Sequence, residues 1–258
     1  MTGLLSERQG HVHLITLNRV DKHNAFDDGL LAHLQTLLDS VIADPLVRVI
    51  VLKANGKHFS AGADVSWMQR MAQFSEAENL ADAQVLARVM YTIHQCPKPT
   101  IAMVHGAAFG GGAGLVAACD IAIAAHTARF CFSEVKLGLI PAVISPYVIQ
   151  AIGEKAATWL FMSAEVIEAQ RACELQLVQH CVPDDELLAY TLCYAEQMAQ
   201  LAPLAVRASK ALVREVSGLP INKTLQHMTA TLIARQRTSV EGQQGLQAFL
   251  KKETPRWN

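Results

Sequence analysis

Phe109-Gly110-Gly111-Gly112-Ala113-Gly114, followed at once by the apolar run Leu115-Val116-Ala117-Ala118, reads as a glycine-rich turn opening into a helix. Glycines let a backbone approach a ligand with no side chain between them. The first turn of a helix offers unpaired N–H donors at the positive end of its dipole. Such a turn favours negative charge on oxygen, either a phosphate or the oxyanion that develops on a carbonyl under attack. A P-loop needs Lys after its glycines, and none follows; in a G-x-G-x-x-G fingerprint the third glycine would come one residue later than Gly114. The oxyanion reading stands beside an architectural one, in which the glycines only permit close helix–strand packing.

A second turn of small residues, Phe59-Ser60-Ala61-Gly62-Ala63-Asp64, lies between a strand pattern and a helix pattern and ends in an acid suited to capping. Two such turns, each after a buried strand, can aim one N–H apiece at a single thioester or ester oxygen. A proton carrier or nucleophile must accompany them. No G-x-S-x-G elbow occurs, but Glu134 ends the apolar segment Phe130-Cys131-Phe132-Ser133. A carboxyl desolvated there has a raised pKa and suits general acid–base work. The alternative is a residue that caps the following turn or pairs with Lys136.

The elements that must hold these groups alternate between strand and helix. Residues 11–17 alternate as a strand. Asp27-Asp28 offers an N-cap for a helix with Leu30, Leu31, Leu34, Leu37, Leu38 and Val41 at helical spacing, ended by Pro45, and residues 47–52 read as a buried strand. A loop over 55–64 leads into one long helix over 65–94. After the Pro97-Lys98-Pro99 break come strands at 100–104, 121–124 and 128–132, with the glycine turn and its helix between the first two. From about residue 143 helical periodicity dominates. The order is that of an α/β architecture with a helical C-terminal part.

Composition narrows the function. The 258 residues are 51% hydrophobic and 17% charged, as in a compact globule. A net charge of −1 without Lys/Arg clusters argues against a nucleic-acid or membrane surface. The six cysteines contain no C-x-x-C pair, and the start lacks an apolar signal core. The most apolar window, 100–125, is broken by His105 and Asp120. A soluble, cytoplasmic protein is expected. His11 and His13 share a strand face, but no third ligand is near in sequence, so they read as surface histidines and no metal is expected.

Ala61-Gly62-Ala63-Asp64, Gly106-x-x-x-Gly110-Gly111-Gly112 with Cys119-Asp120 behind it, and Phe132-Ser133-Glu134-x-x-x-Gly138-x-x-Pro141 resemble, in order and spacing, the enoyl-CoA hydratase/isomerase (crotonase) superfamily. Leu17-Asn18-Arg19 with Asn24-Ala25, and Glu241-Gly242 with Ala248-Phe249, extend the resemblance across essentially the whole chain. It implies an α/β fold of spiral ββα units. Residues 1–200 would form the core with the acyl-CoA site. Residues 201–258 would form a helical subdomain for oligomerisation, as a homotrimer or dimer of trimers, and for CoA contact. The implied substrate is an acyl-CoA thioester, with no cofactor beyond the CoA it carries. By position, the N–H groups of Ala63 and Gly111 would form the oxyanion hole and Glu134 would move the proton. Ala61, Asp64 and Val65 would lie along the CoA, with Lys22 near it and Lys252 approaching its phosphates across a subunit boundary.

One position departs from the pattern. Two-glutamate hydratases carry a Glu where this chain has Gly114, so only Glu134 remains. Single-glutamate members include both hydratases and Δ3-Δ2-enoyl-CoA isomerases. The stretch Ser133-Glu134-Val135 through Ala142-Val143-Ile144-Ser145-Pro146 resembles most the branched-glutaconyl-CoA hydratases of leucine and terpenoid breakdown. The expected reaction is hydration of a 2-enoyl-CoA, with 3-methylglutaconyl-CoA or a relative foremost. The alternatives are isomerisation of a 3-enoyl-CoA through the same glutamate and a catalytically inactive acyl-CoA-binding protein.

Overall fold

The fold comes from a computed structural model that describes residues 3–257. In chain order the elements are β1 (Leu4–Gln9), β2 (Val12–Leu17), α1 (Asp28–Ala43), β3 (Val49–Ala54), α2 (Val65–Met71), α3 (Glu76–Gln95), β4 (Thr100–Val104), β5 (Ala107–Phe109), α4 (Gly111–Ala118), β6 (Ile121–Ala125), β7 (Arg129–Cys131), α5 (Ser145–Ser163), β8 (Ile167–Glu168), α6 (Ala169–Glu174), β9 (His180–Val182), α7 (Leu187–Ala199), α8 (Pro203–Val216), α9 (Lys223–Thr238) and α10 (Val240–Lys251). One sheet has the order β1-β2-β3-β4-β6-β9 and a second has β5-β7-β8. In the large sheet only β1–β2 is antiparallel; every other pairing is parallel.

Alternation along the strands separates two apolar layers. Ile50 and Leu52 of β3 and Ala102 and Val104 of β4 face a core shared with α1, α3, α4 and α5. Val49, Val51, Ile101 and Met103 point the other way, to Leu187, Ala195 and Ala199 of α7. A sheet covered on both faces is apolar at nearly every position, as β3 and β4 are apart from Lys53 and Thr100. The segments that leave the carboxyl ends of β3 and β4, the loop 55–64 and residues 105–110 with β5 among them, therefore emerge side by side, where parallel sheets commonly build sites.

Several elements differ from expectation. The single helix over 65–94 is two, because Ser75 and Glu78 form a capping box that starts α3 afresh after a turn. Strand β1 was not anticipated, and the short β8 and β9 interrupt the C-terminal region expected to be helical. His11 and His13 are half-buried rather than at the surface. The His11 ring bonds Leu46 O and the His13 ring bonds Ser6 Oγ. At the C-terminal end α10 packs on α8 and α9, and the Glu241 carboxylate accepts the N–H groups of Leu204 and Ala205 at the start of α8. Among the described residues, no helix is long and apolar enough to cross a membrane, and no group of three or more His, Cys, Asp or Glu could hold a metal ion.

Lys98, between two prolines, is 1% exposed. Its ammonium closes the end of α1, donating to Val41 O at 2.9 Å and Asp44 O at 2.6 Å. Burial holds its pKa below the usual lysine value. Lys98→Met keeps the apolar stem and strands two carbonyls. The loss of the charged donor outweighs the relief of desolvation, so stability is expected to fall by about 2 kcal/mol in denaturant unfolding; an unchanged midpoint would show that the carbonyls find water instead.

Candidate active site

The loop after β3 is held by Asn24, a buried residue with a left-handed backbone (φ 55°). Its side chain accepts the Arg19 N–H and donates to Asn55 O and His58 O, each at 2.8 Å. Beyond it the loop pairs with residues 23–26. Ala61 N–H donates to His23 O, Phe26 N–H to Gly62 O and Asp64 N–H to Phe26 O. Gly62 and Asp64 thus turn their polar groups toward Phe26. Ala63, between them in extended pairing, turns its own N–H to the opposite side.

The same loop also pairs with β5. Ser60 N–H donates to Ala107 O at 3.0 Å and Phe109 N–H to Ser60 O at 2.9 Å, a parallel bridge between Ser60 and Ala108. Three residues past each bridge partner stand Ala63 and Gly111, the latter the first residue of α4. Among the described residues neither amide has a hydrogen-bond acceptor. A Cβ on Gly62 would lie 3.4 Å from Phe109 O, and one on Gly112 would lie 2.8 Å from Ser60 Cβ. The glycines thus serve close packing as well as exposing an amide.

Glu134 opens a 3₁₀ turn immediately after β7. Gly110, at the N-cap of α4 with φ 50° and ψ −122°, is a conformation suited to glycine. A Cβ there would meet Glu134 Oε1 at 3.4 Å, so the carboxyl lies against the start of α4. Its Oε2 is buried without a partner among the described residues. Burial pushes the Glu134 pKa above the usual carboxylate range. No ion pair with Lys136 forms among the described residues.

The position of the missing second glutamate is filled. A Cβ on Gly114 would fall 2.2 Å from Ile144 Cγ2 and 3.2 Å from Met90 Cε. Ile144, at the entry to α5, and Met90, on α3, are both buried. No side chain can project from residue 114 while Ile144 stays in place.

Ala61 and Ala63 on the loop and Val65 at the start of α2 are exposed, Val65 by 70%. Asp64 is buried between them. Its carboxylate caps α2 through Ser66 and Trp67 and pairs with Lys22 at 2.7 Å and Arg19 at 3.1 Å. The Lys22 ammonium, with the Ser66 hydroxyl and amides behind it, holds the Asp64 pKa far below the usual range. Lys252 caps the C-terminus of α10. That helix packs on α8 and α9. Arg19, Asn24 and Ile144 escaped the reading of candidate side chains. All three left a trace as members of the motifs that carry the resemblance, but the contact of Ile144 with Gly114 did not show, because its partner is 30 residues away.

A family model described as Enoyl-CoA hydratase/isomerase matches residues 7–258. A Legionella pneumophila crystal structure, provisionally called an enoyl-CoA hydratase/isomerase (crotonase), is 65% identical, covers 100% of both chains and has a TM-score of 0.98. An enoyl-CoA hydratase from Shewanella pealeana is 43% identical, with a TM-score of 0.95 over 99% of this chain and 96% of its own. The 2,3-dehydroadipyl-CoA hydratase of Escherichia coli is 35% identical over 260 residues, spanning 99% of this chain and 98% of its own.

The Gly114–Ile144 contact can be measured. Gly114→Ala overpacks the site and is expected to cost about 1–3 kcal/mol, and Ile144→Ala leaves a cavity costing about 2–5 kcal/mol. In the double variant the new methyl group enters the vacated space, so the combined cost in denaturant unfolding falls below the sum. Strict additivity would show that the two positions do not compete for one volume.

Proposed function

The chain belongs to the enoyl-CoA hydratase/isomerase family, and from that premise we propose that it hydrates a 2-enoyl-CoA thioester with Glu134 as its one acid–base group. One observation supports this reading: two amides without acceptors among the described residues lie on turns joined by the Ser60–Ala108 bridge, and the buried, unpartnered Glu134 carboxyl lies against the start of α4. The thioester oxygen would accept from Ala63 N–H and Gly111 N–H. As water adds at C3, the electron pair of the C2–C3 double bond moves through C2 toward that oxygen, where the two donors oppose its charge. Glu134 takes the proton from the attacking water and then delivers one to C2 on the same face. One carboxyl does both jobs in turn, which suits a site whose second position Ile144 occupies.

The branched acyl group, 3-methylglutaconyl or a relative, is supported by the resemblance of the stretch after Ser133. The E. coli relative's name adds 2,3-dehydroadipyl-CoA to the substrates to be tried. In this reading Ala61 and Val65 flank the CoA, with Asp64 between them fixing Lys22 at its edge, and no cofactor beyond CoA is needed. Residues 201–258 assemble the homotrimer or dimer of trimers, and a neighbouring copy brings its Lys252 to the CoA phosphates. The exposed apolar side chains of Ile221, Val240, Phe249 and Leu250 support that assembly.

Glu134→Gln is expected to bind acyl-CoA with unchanged Kd and lose about 10²–10⁴-fold in kcat. A base must be ionised, so wild-type kcat/KM rises with pH through an apparent value above the usual carboxylate range, and that limb is absent from the residual activity of the variant. The panel pairs 2-enoyl and 3-enoyl thioesters, branched and unbranched. A 3-hydroxyacyl-CoA product from the 2-enoyl arm supports hydration. A double-bond shift in the 3-enoyl arm with no hydration would assign an isomerase, and binding without any product would assign a non-catalytic role.

A further inference from the structure

His58 lies on the loop between β3 and Ser60, and its ring closes the turn that begins β5. Its Nδ1 accepts the Ala107 N–H at 3.1 Å. On either side, the His58 carbonyl accepts from Asn24 Nδ2 and Phe59 N–H donates to His105 O at 3.0 Å. The packing is tight: a Cβ on Gly106 would fall 2.1 Å from Lys57 O and 2.9 Å from His58 Nδ1. Ala107 is also the residue whose carbonyl accepts Ser60 N–H. The imidazole thus grips the first residue of the pairing that joins the Ser60 turn to β5. A ring nitrogen that accepts a hydrogen bond carries no proton, so the ring is neutral with its hydrogen on Nε2.

We propose that His58 is a positioning residue for the two candidate oxyanion donors: its neutral ring pins the first amide of β5, and protonation at Nδ1 releases that amide and loosens the Ser60–Ala108 pairing that joins their two turns. The bond is a property of the fold; that its loss lowers turnover rests on the hydration reading. The groups facing the ring are all basic. They are His23, whose ring centroid lies 5.2 Å away, Lys57 on the same loop, His105 on the connection from β4 to β5, and Arg129 on β7. Burial first, then these neighbours, hold its pKa below the ordinary histidine value. With a lowered folded value, the stabilising bond is complete above the unfolded pKa, about 6.5, and is lost as pH falls through the folded one.

The test uses the full chain, wild type and two variants. His58→Asn offers an amide oxygen near the place of Nδ1 and cannot titrate; His58→Phe keeps the ring volume and has no acceptor. Ring ¹⁵N spectra of the wild type are expected to show an unprotonated, hydrogen-bonded Nδ1 near pH 7.5 and a titration below 6.5. With a 2-enoyl-CoA, His58→Asn should keep kcat within about threefold near pH 7.5. It should also lose the part of the acid-side decline that the wild type shows below pH 6.5. His58→Phe should lose about 10²-fold in kcat, the scale of a misplaced catalytic group, with a smaller change in KM. A protonated Nδ1 at neutral pH, a His58→Asn profile identical to wild type, or full kcat in His58→Phe would overturn the proposal. If the wild type hydrates no enoyl-CoA, the hydratase reading falls while the ring spectra still decide the bond to Ala107.

Discussion

A parallel bridge of two hydrogen bonds, between Ser60 and the strand at Ala108, sets the geometry of this molecule's site. The bridge ties the turn after β3 to the turn that opens α4, so the two turns are held together. Ala63 lies on the first of these turns and Gly111 on the second. The rest of the site architecture keeps the bridge in place. Asn24 ties the loop from one side, Phe26 pairs along its outer edge, and Asp64 anchors its far end to α2, Arg19 and Lys22. Behind it, β3 and β4 are fixed in register by a core filled on both faces.

The Ile144–Gly114 contact has a chemical consequence. In a site with two carboxyls, a water can be held between them. Here the second volume belongs to a buried hydrocarbon, and Glu134 meets the start of α4 with one oxygen unpartnered. An apolar neighbourhood favours the protonated acid and raises its pKa, which suits a group that must both take and return a proton. The partial positive charge at the start of α4 acts in the opposite sense and favours the anion. Burial holds Glu134 above the usual carboxylate range.

Much of this was legible in the chain. The alternation at residues 11–17, the cap at Asp27 and the apolar runs of β3 and β4 are local signals, and local signals survive folding. So is the association of glycine with a helix start, and a carboxylate among Phe and Cys residues stands out in composition alone. What escaped was non-local or cooperative. The break between α2 and α3 depends on a reciprocal pair of hydrogen bonds at Ser75 and Glu78, which helical periodicity through 65–94 overrode. Ile144 and His58 act through partners 30 and 49 residues away, Gly114 and Ala107, and their residue types carry no trace of that role. Lys98 reads as an ordinary polar residue between prolines; only the fold places it under the end of α1.

Polarisation of a bound carbonyl is the quantity on which two converging amides must leave a mark. An infrared difference spectrum of an enoyl-CoA carrying ¹³C at its thioester carbonyl, bound to Glu134→Gln so that turnover is slow, reads it without further chemistry. Two N–H donors on one oxygen weaken the C=O bond, so the stretch should move to lower wavenumber than in free solution. A bound thioester whose stretch stays at its solution position would show that Ala63 and Gly111 do not meet at that atom.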